Sequence, residues 1–186
     1  MRDTESQFTS LSGSLLAAHP TLLDPNFARS VVLLTAHSES DGALGVILNR
    51  PVERTLGQLK SEFEGSPVGR VPVYLGGPVA PAELLLAAWS WDMEGGAFRL
   101  HFGISAEALT EMLESEGNIV ARAFLGYAGW GEGQLEGELG VNSWILAPIH
   151  PDFLEAEGGE AWGGVVRSQR PDLSALVDVP DDPSLN

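Results

Sequence analysis

The apolar residues of this chain come in short runs, and glycine, proline or acidic clusters close each run before it can make a long helix. The runs are Ser14 to Ala18, Val31 to Thr35, Ala43 to Asn49, Val71 to Leu75, Leu84 to Trp89, Ala97 to Phe102, Ile119 to Leu125 and Val141 to Leu146. Short stretches rich in β-branched and aromatic residues read as strands. In FRLHF, Phe98, Leu100 and Phe102 alternate with Arg99 and His101, so one side of that strand is buried and the other is wet. ALGVIL is apolar throughout and belongs in a strand covered on both sides.

Helices are expected between these runs. Thr55 and Gln58 have the spacing of a capping box ahead of a Leu56, Leu59, Phe63 stripe that stops at Gly65. Ser105 caps a helix that turns Leu109, Met112 and Leu113 inward and Glu107, Glu111 and Glu114 outward. Leu135 and Leu139 pair in a short helix closed by Gly140, and Trp162, Val165 and Val166 mark a last amphipathic helix over Glu160 to Gln169. Val31 to Asn49 and Val71 to Phe102 read as strand following strand. The order is therefore not a βαβ alternation, and an α+β fold with a mixed sheet is expected.

A chain of 186 residues with 44% apolar content builds one core. We expect one domain over residues 13–178, a flexible lead over 1–12 and an acidic tail over 179–186. Ten Lys+Arg against 26 Asp+Glu give a net charge of −16, a field that repels phosphate backbones and anionic lipid. No nucleic-acid partner is expected, and no run reaches the roughly 20 apolar residues of a membrane span. The start lacks the basic region of an export signal, so a cytoplasmic location is expected. The absence of Cys removes thiol chemistry.

GYAGWGEGQLEGEL, Gly126 to Leu139, follows one expected strand and opens an expected helix, the setting in which a glycine loop presents amides to an anion. Its spacing is neither G-x-G-x-x-G nor a P-loop, and Glu132, Glu136 and Glu138 stand where phosphate charge would go. The favoured reading is a corner whose glycines allow close approach while Tyr127 and Trp130 fill the gap beside it. HSESDG offers His37, Glu39 and Asp41, but Asp-Gly between two apolar runs is hairpin chemistry. The four His, at 19, 37, 101 and 150, carry no hydrolase or zinc motif and read as surface or capping side chains. LNRP and YLGGPV are rigid turns at strand ends, and Asn49 and Arg50 offer a polar fork there. The ligand-binding candidates are Asn49, Arg50, His37, Tyr127 and Trp130. No catalytic residue, metal ligand or cofactor is assigned.

Taken together, GSLLAAHPTLLDPNFARSVVLLTAH, GALGVILNRP, VYLGGPV and ARAFLGYAGWGEGQLEGELGVNSW resemble the bacterial YqgE/AlgH family from Gly13 to about Trp144, with a weaker echo in APIHPDFL. The resemblance implies an α+β domain with a strongly bent, partly barrel-like mixed sheet wrapped by helices. It brings no catalytic residues, and the family's regulator label is a genetic association with alginate control. Many relatives have Cys two residues before the position of His37, where this chain has Thr35. Relatives also tend to have Leu-His after the GGP turn, where this chain reads ELLLAAWSW.

Three classes of function follow. A non-catalytic regulatory or ligand-binding protein acting through another protein ranks first. An enzyme with an unrecognised site near the strand-end loops ranks second, and a direct DNA-binding regulator last, because each phosphate contact requires a cation that the chain mostly lacks.

Overall fold

Eleven consecutive residues of one strand, Val120–Trp130, tie two halves of a sheet together. The computed structural model describes residues 8–92, 96–115 and 117–179; the remainder of the expected lead and tail, 1–7 and 180–186, lies outside the described residues. The strands are β1 (Leu15–Ala18), β2 (Val31–Ser38), β3 (Gly42–Ile47), β4 (Pro51–Thr55), β5 (Pro72–Leu75), β6 (Val79–Asp92), β7 (Ala97–Phe102), β8 (Val120–Trp130) and β9 (Trp144–Ala147). The helices are α1 (Leu56–Leu59), α2 (Ala106–Ser115), α3 (Gln134–Gly140), α4 (Pro151–Glu155), α5 (Gly158–Gln169) and α6 (Ser174–Val177).

The sheet runs β4-β5-β8-β3-β2-β1-β9, with β6 on β8 and β7 on β6. β5 and β8 are parallel while the other pairs are antiparallel, so the sheet is mixed, as the sequence suggested. It curls into a half-barrel. The first part of β8 pairs with β5 and β6, and its last part, Ala128 to Trp130, pairs with β3. At the changeover sits Gly126, with φ +69°. Phe124 and Tyr127 face one core, whereas Leu125, Ala128 and Trp130 face the other side, so side-chain alternation slips by one residue at Gly126. A Cβ there would lie 2.5 Å from the Gly77 carbonyl oxygen and 2.7 Å from that of Val79. Two backbones touch at this bend, and only glycine permits it.

Curling gives the sheet one inner and two outer faces. The inner face carries Leu15, Leu33, Val46, Phe124 and Trp89 and is filled by Trp162, Val165 and Val166 of α5. One outer face, with Leu86, Ala88 and Ala123, is covered by Leu56 and by Leu109 of α2. The other, with Leu16, Val32, Ile47 and Trp130, is covered by Leu135 of α3 and by Phe27 and Leu22 of the loop before β2. ALGVIL is thus buried on both sides except at Leu44, which is only partly covered. Ser105 does cap α2, its hydroxyl accepting from Ala108 N at 3.2 Å, and Gln58 Oε1 accepts from Thr55 N at 2.9 Å. HSESDG closes the β2–β3 hairpin, with Ser38 opposite Gly42.

Several elements extend beyond the expected runs. Leu84 to Trp89 belongs to the longer β6, whose first residues bulge between Val79 and Leu84 around Ala80 at φ +45°. LNRP is more than a turn, since Pro51 opens edge strand β4. α4 and α6 fall where no helix was expected. Among the described residues no helix is long and apolar enough to cross a membrane.

Gly126→Ala combines a left-handed backbone with a backbone clash, whereas Gly133, also at φ +69°, has open space where a Cβ would go. Urea unfolding is expected to give a loss of about 3 kcal/mol for Gly126→Ala and about 1 kcal/mol for Gly133→Ala. Equal losses would contradict the close-approach account.

Candidate binding groove and its buried polar frame

Asn49 ends the apolar run of β3 and is 4% exposed. Its Oδ1 accepts from Val31 N at 2.8 Å, and its Nδ2 donates to the carbonyls of Arg29 at 2.9 Å and Gly158 at 2.8 Å. The amide thus joins β2 to the start of α5. Arg50 donates to the carbonyls of Asn26 (2.7 Å), Ala28 (3.1 Å) and Pro25 (3.3 Å), strapping down the loop before β2. Burial lowers its pKa, and Asp24 partly restores it.

His37 lies six residues along β2 from Val31, about 20 Å at the strand rise. It is buried, unlike the surface histidine its sequence context suggested. Its Nδ1 accepts from Leu11 N at 2.9 Å, which fixes the neutral tautomer with the proton on Nε2, and Nε2 donates to Glu136 Oε1 at 2.8 Å. Ser10 Oγ donates to the His37 carbonyl, so residues 8–12 lie along β2. Glu136 is held below its usual pKa, chiefly by its own backbone amide and also by His37. His19 and His150 act as local caps for Thr21 and Asp152. The structure therefore keeps Asn49 and Arg50 together but places His37 at the far end of β2.

The glycine corner is a strand end followed by a turn. Gly131 N donates to Gln134 Oε1 at 3.1 Å, and Glu138 Oε2 accepts both indole N–H groups of Trp130 (2.9 Å) and Trp144 (2.7 Å). The two indoles meet edge to face at 5.8 Å. Glu136 and Glu138, which the sequence placed where phosphate would sit, serve as acceptors that seat α3.

Tyr127 and Trp130 border a groove of about 600 Å³ at the tip of the β2–β3 hairpin. Leu44 shares its face with buried Val46, and Leu44, Ala36, Val79, Tyr127 and the bare backbone of Gly129 make the walls. The groove is the inner face continued past the edge of the core. At its rim Asp41 Oδ2 accepts from the hydroxyls of Ser38 (2.8 Å) and Ser40 (3.1 Å).

A second arrangement was not read from the sequence. Arg122, on β8, is 4% exposed and donates to the carbonyls of Leu48 (2.9 Å) and Leu154 (2.6 Å). Its guanidinium lies 4.3 Å from the Tyr74 ring centroid and 5.3 Å from that of Trp89. Tyr74 Oη donates to Glu157 Oε1 at 2.6 Å. Burial lowers the Arg122 pKa, opposed by Tyr74 and Glu157. The Tyr74 phenol is pushed up to about 12, by burial first and then by Glu157, with Arg122 pulling the other way. This frame binds the α4–α5 junction to the sheet. The signal for it in the sequence was a single Arg inside an otherwise apolar strand, IVARAFL. Among the described residues no group of three or more His, Asp or Glu is placed to hold a metal ion.

Comparison with known proteins places these features in context. A family model described as AlgH-like matches residues 15–174. A UPF0301 protein of Streptomyces coelicolor is 38% identical over 194 residues, covering 97% of this chain and 98% of the relative. One from Magnetococcus marinus is 36% identical, covering 92% and 96%. Among solved structures, a Corynebacterium diphtheriae protein has a TM-score of 0.70 at 27% identity, covering 90% of this chain and 91% of that one. The AlgH protein of Pseudomonas aeruginosa gives 0.64 at 27% identity, covering 98% and 100%.

The raised Tyr74 pKa fixes a pH dependence. The unfolded phenol loses its proton near pH 10 while the folded one keeps it to about 12, so stability falls as pH rises through that window. The chain has two tyrosines, so subtracting the absorbance titration of Tyr74→Phe isolates Tyr74. A midpoint close to pH 10 for Tyr74 in the folded protein would contradict the frame.

Proposed function

The chain belongs to the AlgH-like family, and from that premise we propose that it is a non-catalytic regulatory protein that binds another protein through the Tyr127 groove. The groove itself carries this reading. It is an open concave surface continuous with the core, with apolar walls and a rim whose Ser38–Asp41 hydrogen bonds are closed within the hairpin. Such a surface takes an apolar side chain from a partner by burying it, at about 25 cal/mol per Å² of apolar area. The exposed Val79 beside it, with Leu75 one turn away across Gly76–Gly77–Pro78, widens the apolar rim.

The polar side chains near strand ends support binding over catalysis. Asn49, Arg50 and His37 spend their hydrogen bonds on backbone groups and on Glu136, so each orders the scaffold. The net charge of −16 favours a protein partner over duplex DNA. Regulation of transcription, where it occurs, would then run through that partner.

A photoreactive phenylalanine at position 79 tests this, with the same residue at Glu111 on exposed α2 as control. Irradiation in cells is expected to give one discrete adduct from position 79 and none from 111. The purified partner should then bind the wild-type chain at least about 10-fold more tightly than Leu44→Glu. Identical adducts at both positions, or a Leu44→Glu variant that binds as well as wild type, would contradict the proposal.

A further inference from the structure

The inner face is also open at its other end, where β6 runs past α4. There a cavity of about 380 Å³ is walled by Trp89, Trp91, Val120 and Leu154, with Asn118 and Glu155 among its polar lining groups. Trp89 and Trp91 are two residues apart on β6 and so project from the same side of the strand. Trp89 is part of the core, while Trp91 lies partly exposed beyond it, its ring 5.7 Å from that of Phe98. Val120, opposite Trp89 in the β6–β8 register, is 41% exposed although it stands on the apolar side of β8.

The chemistry of the lining is one-sided. Among the described residues it contains two indoles and one carboxylate, Glu155, and no Lys, Arg or His. An aromatic ring attracts a cation through its quadrupole, and the attraction grows when the site excludes water. The protein already uses this attraction in its core, where the buried Arg122 guanidinium, outside the cavity lining, sits 5.3 Å from the Trp89 ring centroid. Trp91 has no such cation in the structure among the described residues. A chain with net charge −16 also raises the local concentration of cations around any such opening.

We propose that this cavity binds an organic cation, an ammonium or guanidinium group carried on a short apolar stem. The stem lies against Val120 and Leu154, the charged head lies at the Trp91 ring, and Glu155 pairs with it at the mouth. A free amine and the side chain of a Lys or Arg share this chemistry. The site is independent of the Tyr127 groove, which lies on β2, β3 and the far end of β8.

The full chain is titrated with n-butyltrimethylammonium and n-butylguanidinium, with n-butanol and butyrate as neutral and anionic counterparts, following the indole N–H resonances. Both cations are expected to shift the Trp91 resonance saturably, n-butanol to bind at least about 5-fold more weakly, and butyrate not to bind. Glu155→Gln should weaken the cations about 5-fold and leave n-butanol unchanged, and Trp91→Leu should abolish saturable cation binding followed at the Trp89 indole, which also lines the cavity. Blocked tripeptides Ala-Lys-Ala and Ala-Arg-Ala separate the two sources: saturation by them assigns a protein side chain, and saturation by the free cations alone assigns a small molecule. The proposal is overturned by n-butanol binding as well as the cations, by no saturable shift at Trp91, or by cation binding that Glu155→Gln leaves intact. Because Glu155 is an exposed side chain, its variant retains the fold even if Trp91→Leu does not.

Discussion

The attachment of the α4–α5 segment to the inner face is the constraint on which the rest of this structure depends. α5 has the sequence GGEAWGGVVRSQ, and its glycines give it little intrinsic helicity. Packing has to supply what propensity withholds. Trp162, Val165 and Val166 are buried against the sheet, each such burial contributing about 1.5–3 kcal/mol. Burial alone does not fix where along the trough a helix sits. Four directional bonds do: Asn49 to the Gly158 carbonyl, Tyr74 to Glu157, Arg122 to the Leu154 carbonyl and the Trp162 indole to the Ala18 carbonyl. They come from the turn after β3, from β5 and β8, and from α5 itself, which reaches β1, so the helix is referenced to several strands at once.

Both openings follow from this placement. With α5 seated against β1 and β9, the tip of the β2–β3 hairpin is left uncovered at one end of the inner face and the Trp89–Trp91 stretch of β6 at the other. The bend at Gly126 contributes as well, because the slip in side-chain alternation is what turns Tyr127 and Gly129 toward the groove. Burying the Arg122 charge is costly without a paired carboxylate, and the two carbonyls, two aromatic faces and the nearby Glu157 offset that cost. Its two directional bonds tie β8 to the Leu48 and Leu154 carbonyls.

The fold was legible wherever a local pattern carried it. Alternation in FRLHF, the Asp-Gly turn, the Ser105 cap and the apolar ALGVIL run all describe neighbours within a few residues, and each was found as expected. β4 and α4 were missed because they are short and set by contacts outside themselves: β4 by pairing with β5, α4 by Arg122 and the His150 cap. The same distinction governs the candidate residues. Tyr127 and Trp130 do border a groove, whereas Asn49 and Arg50 looked like a polar fork for a ligand because their backbone partners are 18 to 109 residues away. Arg122, whose partners lie 74 and 32 residues off, showed only as a lone charge in an apolar strand, with nothing local to say what it binds.

Hydrogen exchange of the Arg122→Met and Asn49→Ala variants, resolved by segment, tests the docking account most directly. The account predicts that amides of α4 and α5 exchange about 10-fold faster or more in each variant, while those of β1, β3 and β2 beyond Val31, whose own amide bonds to Asn49, keep their protection. Protection that falls evenly across sheet and helices, or that does not change in α5, would contradict it.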